Sequence, residues 1–216
     1  MIESRAPGKL FVLGEYAVVE PGEPAVLVAV DRYITVRASA ASGSGRIHSS
    51  EYGGLPLVWL RDRDTADIVV EHAPVDVVLA AITAVEELRA ELGRAPQYFD
   101  LHIDSDLDDA SGRKFGLGSS AAVTVAVIAA LDEFYALGLT RAERFKVALL
   151  ATIAVAPTAS GGDVAASTFG GWIRYTSPDR DLLRRHRARH GVGSALASDG
   201  WSACGIRRLP PPLDHR

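Results

Sequence analysis

The most constraining stretch of this 216-residue chain is Lys114-Phe115-Gly116-Leu117-Gly118-Ser119-Ser120-Ala121-Ala122 and the apolar run behind it, which carries only Asp132 and Glu133 as charges before Leu137. It reads as a turn opening onto a long apolar helix, from near Ser119 to Leu137, stopped by Gly138. Such a helix needs a core around it. A chain of this length, 48% hydrophobic and 23% charged, has the material to build one. Those proportions exclude collagen-like, disordered and membrane classes. No segment approaches the roughly 20 apolar residues of a bilayer span.

Two further helices are predicted. One runs from about Val75 to Leu92, ahead of Gly93. The other starts at Thr140, where Thr140-Arg141-Ala142-Glu143 matches a capping box, and continues to Val155 before Pro157. Strand patterns occupy Leu10–Leu13, Ala25–Val30 with Tyr33, Ile34 and Val36, Leu57–Leu60, Ile68–Val70, the alternating Tyr98–Ile103, and Gly171–Tyr175. Ser39–Gly45 suits a loop or hairpin tip. The order predicts a mixed α/β (α+β) fold. One domain is expected over residues 1–205, followed by a proline-rich tail, 206–216, at a domain junction.

Lys and Arg total 23 against 27 Asp and Glu, so the chain has no global footprint for nucleic acid. The six histidines are scattered without ligand spacing. The basic stretch Arg184–Arg189 reads as a solvated helix face. Cys204 is the only cysteine, which rules out an internal disulfide and disfavours structural zinc. MIESRAPGKL is no signal peptide, so a cytoplasmic location is expected.

Three constellations carry chemistry. In Gly116–Ala122, two glycines let the backbone approach a bulky anion, the helix N-terminus offers free N–H donors, and Ser119 and Ser120 add hydroxyls for phosphate or Mg²⁺. The bland alternative is a serine N-cap. The run formally fits GxGxxA, but the polar stretch Asp104–Lys114 separates it from the preceding strand, and Asp132 and Glu133 lie inside the helix, which disfavours a dinucleotide fold. A Walker-type loop is absent. Ala6-Pro7-Gly8-Lys9, followed by Gly14-Glu15-Tyr16-Ala17, puts a lysine at the mouth of a strand, where it could meet a phosphate or simply be solvated. In Ser160-Gly161-Gly162-Asp163, Asp163 is either an N-cap carboxylate or a base or charge partner for Lys9.

Together and in this order, the three resemble the GHMP small-molecule kinases over about residues 4–205. Tyr16 in place of His, Glu20-Pro21-Gly22, Lys114-Phe115 and Gly161–Ser167 are most similar to the phosphomevalonate branch. The resemblance implies an N-terminal domain like that of ribosomal protein S5, with a C-terminal ferredoxin-like domain missing here. It implies transfer of the ATP γ-phosphate to 5-phosphomevalonate, with Gly116, Leu117, Gly118, Ser119, Ser120 and Ala121 cradling ATP and Ser120 near Mg²⁺. Lys9, Lys114 and Asp163 would lie at the transfer point. Where the acceptor is a phosphate, Asp163 orients a lysine; where it is a hydroxyl, Asp163 is the base. The family's third glycine-rich motif has no counterpart after Asp163. A companion chain, or self-association through an exposed apolar face, is therefore expected. Alternatives are a mevalonate or other small-molecule kinase of the family, or a catalytically incompetent nucleotide-binding domain.

Overall fold

Ile2–Leu13 and Pro24–Ala41 form two long antiparallel strands, β1 and β2, in a computed structural model that describes residues 1–49, 55–70, 76–107 and 116–212. Their alternation buries Ala6, Leu27, Ile34, Val36 and Ala38 on one side and exposes Glu3 and Arg5 on the other. The sheet continues with β3 (Gly45–Ser49), β4 (Leu57–Arg61), β5 (Ile68–Val69), β6 (Tyr98–Ser105), β7 (Trp172–Thr176) and β8 (Gly205–Leu209). Strand order is β5-β4-β3-β6-β2-β7-β8, with β1 also on β2. Only β3–β6 is parallel among the described pairs, so this is not the parallel sheet of a dinucleotide fold.

The helices are α1 (Val77–Glu91), α2 (Ser119–Tyr135), α3 (Arg141–Val155), α4 (Gly162–Phe169) and α5 (Arg180–Ala195). Helices α2 and α4 lie on β1 and β2; α1 and α3 pack against α2, and α5 against α1 and α3. Helix α2 is buried nearly all round, as its small apolar residues require. The capping box of α3 forms as expected: Thr140 accepts from Glu143 N–H, and the Glu143 carboxylate accepts from Thr140 N–H. The other sheet face carries Arg37, bonded to Glu3 and Asp104, and His48 stacked on His102 at 4.2 Å, with Val58, Leu60 and Val69 exposed toward its β4–β5 edge. No helix among the described residues is long and apolar enough to cross a membrane.

Three local expectations change. Helix α2 ends at Tyr135, because Ala136 already takes a left-handed conformation two residues ahead of Gly138, which is itself at φ 76°. The basic stretch lies on α5 with Arg184, Arg185 and Arg189 exposed, but Arg187 folds back to Glu87 and to Leu150 O. Residues 205–209 pair with β7, so the sheet crosses the junction expected at 205/206. The pairing comes from a strand far away in sequence, and proline begins only at Pro210.

Candidate active site

The site is built where β1 breaks register. Pro7 pairs with Tyr33 but Lys9 pairs with Ala29, a bulge of the kind that re-aims side chains. Before the break Ala6 and Gly8 are buried; after it Leu10 and Val12 are exposed and Phe11 is half-buried. Lys9 N–H donates to Leu117 O at 2.7 Å, which fastens β1 to the turn ahead of α2. Gly8 makes that contact possible, since a Cβ there would stand 2.8 Å from Leu117 O and 2.6 Å from a Leu107 methyl. The Lys9 stem in turn lies on Gly118: a Cβ on Gly118 would be 2.7 Å from Lys9 Cε. The first two glycine motifs are thus one structural unit.

Helix α2 begins at Gly118, with φ 78° and no side-chain cap, so the serine-cap alternative does not hold. Its first-turn N–H groups, at Ser119 and Ser120, have no partner within the helix by geometry. Ser120 is exposed, and its carbonyl accepts from Thr124 Oγ1. Gly116 is exposed at φ 72°, and Leu117 packs on the core. Ala121 is buried, its N–H on Gly118 O. Lys114 and Phe115 lie outside the described residues.

Helix α4 repeats the pattern. Gly161 is its N-cap, at φ 83° and again with no side-chain cap, so Asp163 is not the cap residue. Asp163 stands half-buried in the first turn, where a carboxylate suits the helix dipole, and its Oδ1 accepts from Val164 N–H at 3.0 Å. A Cβ at Gly162 would be 3.1 Å from Phe11 Cζ, and the same Phe11 ring lies 4.9 Å from Lys9 Nζ. The phenyl ring therefore connects the lysine to the start of α4. Among the described residues no ion pair joins Lys9 to Asp163. Tyr175 braces the loop from behind, its hydroxyl donating to Ser160 O at 2.7 Å. Burial pushes the Tyr175 phenol up, with smaller pushes from Cys204 and Asp163, against the pull of Arg180.

The sum is a concentration of positive potential. The unpaired N–H groups at the start of α2 meet an ammonium with no carboxylate paired to it, an arrangement suited to a polyanion, while the α4 N-terminus is already served by Ser160 and Asp163. No group of three or more His, Cys, Asp or Glu side chains that could hold a metal occurs among the described residues. A metal at this site would take the Ser120 hydroxyl and complete its shell with water and ligand oxygens, as Mg²⁺ does with nucleotides. Sequence reasoning found Lys9, Gly116–Ala121 and Asp163, which the fold brings together. It missed Phe11, whose only sequence signal is the lost alternation after Pro7-Gly8, and Tyr175, which carries none.

Residues 77–171 match the GHMP kinases N terminal domain. Over 98% of its length the chain is 45% identical to the phosphomevalonate kinase of Streptomyces sp. strain CL190, and it spans 59% of that protein. It is similar to the Lin0012 protein of Listeria innocua, with a TM-score of 0.89 and 32% identity over 98% of this chain and 58% of that one. It is also similar to Streptococcus pneumoniae phosphomevalonate kinase solved with phosphomevalonate and AMPPNP. That match has a TM-score of 0.83 and 26% identity, over 99% of this chain and 60% of the other.

Proposed function

The chain belongs to the GHMP kinases, and from that premise we propose that it binds ATP and 5-phosphomevalonate in the cytoplasm and transfers the γ-phosphate between them, giving 5-diphosphomevalonate and ADP. The observation that carries the reading is the meeting of the unpaired α2 N-terminus with Lys9. The choice of acceptor is supported by the similarity to two phosphomevalonate kinases, one solved with phosphomevalonate and AMPPNP.

The chemistry then follows from charge. A phosphate monoester has a second pKa of about 6, so near neutral pH the acceptor oxygen is already ionised and needs no base. The barrier lies in bringing two polyanions together, which preorganised positive groups lower. The free N–H groups of Ser119 and Ser120 hold the nucleotide phosphates, with the Gly116–Leu117 turn beneath and Ala121 packed behind them. Lys9 and Lys114 neutralise charge at the transferring group. Asp163 orients Lys9 once the anions are bound rather than removing a proton. Ser120 would hold Mg²⁺, which would supply further neutralisation of the phosphate oxygens.

The test is ADP release with Mg-ATP and either 5-phosphomevalonate or mevalonate, alongside calorimetric binding of AMPPNP. Turnover with 5-phosphomevalonate alone, lowered at least 100-fold in Lys9→Ala with the fold intact, is the expected result. Turnover with mevalonate alone would make the acceptor a hydroxyl and return Asp163 to the role of base. A folded chain that does not bind AMPPNP would sink the nucleotide reading.

A further inference from the structure

The loop that carries Asp163 is held by a residue the motifs do not contain. Arg180 is the first residue of α5, and its backbone is fixed from both sides. Asp179 Oδ1 accepts from Leu182 N–H at 2.9 Å, and Asp179 N–H donates to Gly200 O at 2.9 Å. From that anchor the guanidinium reaches two distant segments. Nη1 donates to Thr158 O at 2.6 Å, in the turn ahead of Gly161. Nη2 donates to Val19 O, at the end of the 3-10 turn Ala17–Val19 that follows Gly14-Glu15-Tyr16. The same stretch of chain adds two struts: Ser177 Oγ–H donates to Glu20 O, and Gly22 N–H donates to Ser177 O, each at 3.0 Å.

Both bonds of Arg180 end on neutral carbonyls, and among the described residues it has no ion pair. A hollow of about 440 Å³ opens between the joined segments, lined by Glu20, Pro21, Pro157, Thr158 and Arg180 among others. Arg180 is half-buried, so water can replace it at both carbonyls at little cost to the fold. Water cannot hold the two segments at a set distance. The planar fork of an arginine can.

We propose that Arg180 is a positioning residue for the acceptor: by joining Val19 O to Thr158 O it sets the separation between the Gly14–Val19 turn and the Asp163 end of α4. It thereby sets the width of the place for a phosphorylated acceptor. The inference rests on the reading of 5-phosphomevalonate as acceptor given above. It assigns Arg180 no contact with either substrate.

The experiment measures 5-phosphomevalonate and AMPPNP binding separately, with steady-state kinetics and thermal unfolding, in wild type, Arg180→Ala and Arg180→Lys. Arg180→Ala is expected to bind 5-phosphomevalonate at least 10-fold more weakly and to raise its KM likewise. AMPPNP affinity and kcat at saturation should stay within about threefold, and the melting temperature within a few degrees. Arg180→Lys keeps the charge and one bond; it should show the same selectivity at smaller size, and it serves if the alanine variant does not fold. A merely structural role would weaken both ligands in parallel with stability, and that result overturns the proposal. So does unchanged acceptor affinity in a folded variant while the wild type binds both ligands. A wild type that binds AMPPNP but no 5-phosphomevalonate would remove the acceptor reading, and this inference with it.

Discussion

Gly118 and Gly116 both sit at positive φ, 78° and 72°, but only Gly118 has the Lys9 stem against it; a Cβ on Gly116 meets nothing within 4 Å. Comparing their alanine variants therefore separates backbone strain from displacement of the lysine. Each should cost about 1–2 kcal/mol of stability for an L-residue forced into the left-handed region. Gly118→Ala alone should also weaken AMPPNP binding at least 10-fold, and equal affinities in the two variants would argue against Lys9 as a phosphate contact. A second residue-scale prediction concerns Glu86, buried at the junction of β4, α1 and α2. Arg61 grips it through both oxygens at 2.9 and 3.0 Å, Arg89 Nε donates at 2.9 Å, and the Tyr135 hydroxyl at 2.5 Å. Burial raises the Glu86 pKa, but the bonds from Arg61, Tyr135 and Arg89 outweigh it and hold the carboxyl below its ordinary value. A carboxyl depressed on folding stabilises above its unfolded pKa, about 4.3, and that contribution is lost as pH falls through the folded value. Stability should therefore drop below about pH 4.5 with a slope that Glu86→Gln flattens. That variant should also lose about 3–5 kcal/mol at neutral pH, because Arg61 is left buried without its counter-charge. Denaturant unfolding between pH 3 and 7 checks both; identical slopes would exclude Glu86 as the titrating group.

At the scale of the element, helix ends were legible only where a local residue decides them. Thr140 and Glu143 announce the start of α3, and the capping box forms there. Gly138 invited the wrong stop for α2. The helix ends with Ala136 at φ 50°, its N–H on Asp132 O and Glu133 O, and Leu137 N–H on Asp132 O. Asp132 then accepts from Leu139 N–H and pairs with Arg144 of α3, so the interhelix connection places the turn two residues earlier than glycine would. An alanine in that conformation is strained, and Ala136→Gly should raise stability by about 0.5–1 kcal/mol. Equilibrium urea unfolding would show it; a loss instead would mean that the alanine methyl packs more than its backbone strains. The basic stretch of α5 was likewise half legible. Charge implied solvent, but Arg187 finds Glu87, 100 residues earlier in the chain. No local pattern encodes such a partner.

For the whole molecule, the buried apolar residues of the sheet and of α1–α5 form one continuous cluster. Thermal unfolding should accordingly be a single transition with a heat-capacity change of about 3 kcal/mol/K for a chain of this size. Two calorimetric peaks would mean that the outer helix layer melts apart from the sheet. The sequence by itself determined the mixed α/β class, the three central helices, and the three motifs with their order, because hydrophobic period, caps and glycine clusters are local signals read within a few residues. Only the tertiary structure decided that Pro7-Gly8-Lys9 and Gly116-Leu117-Gly118 pack face to face, that Phe11 connects Lys9 to Gly162, and that β8 pairs with β7 where a tail was expected. It also decided that Arg180 braces the loop of Asp163. Each of these depends on groups far apart in the chain, and their meeting is set by burying one shared core, not by the propensities of the residues that meet.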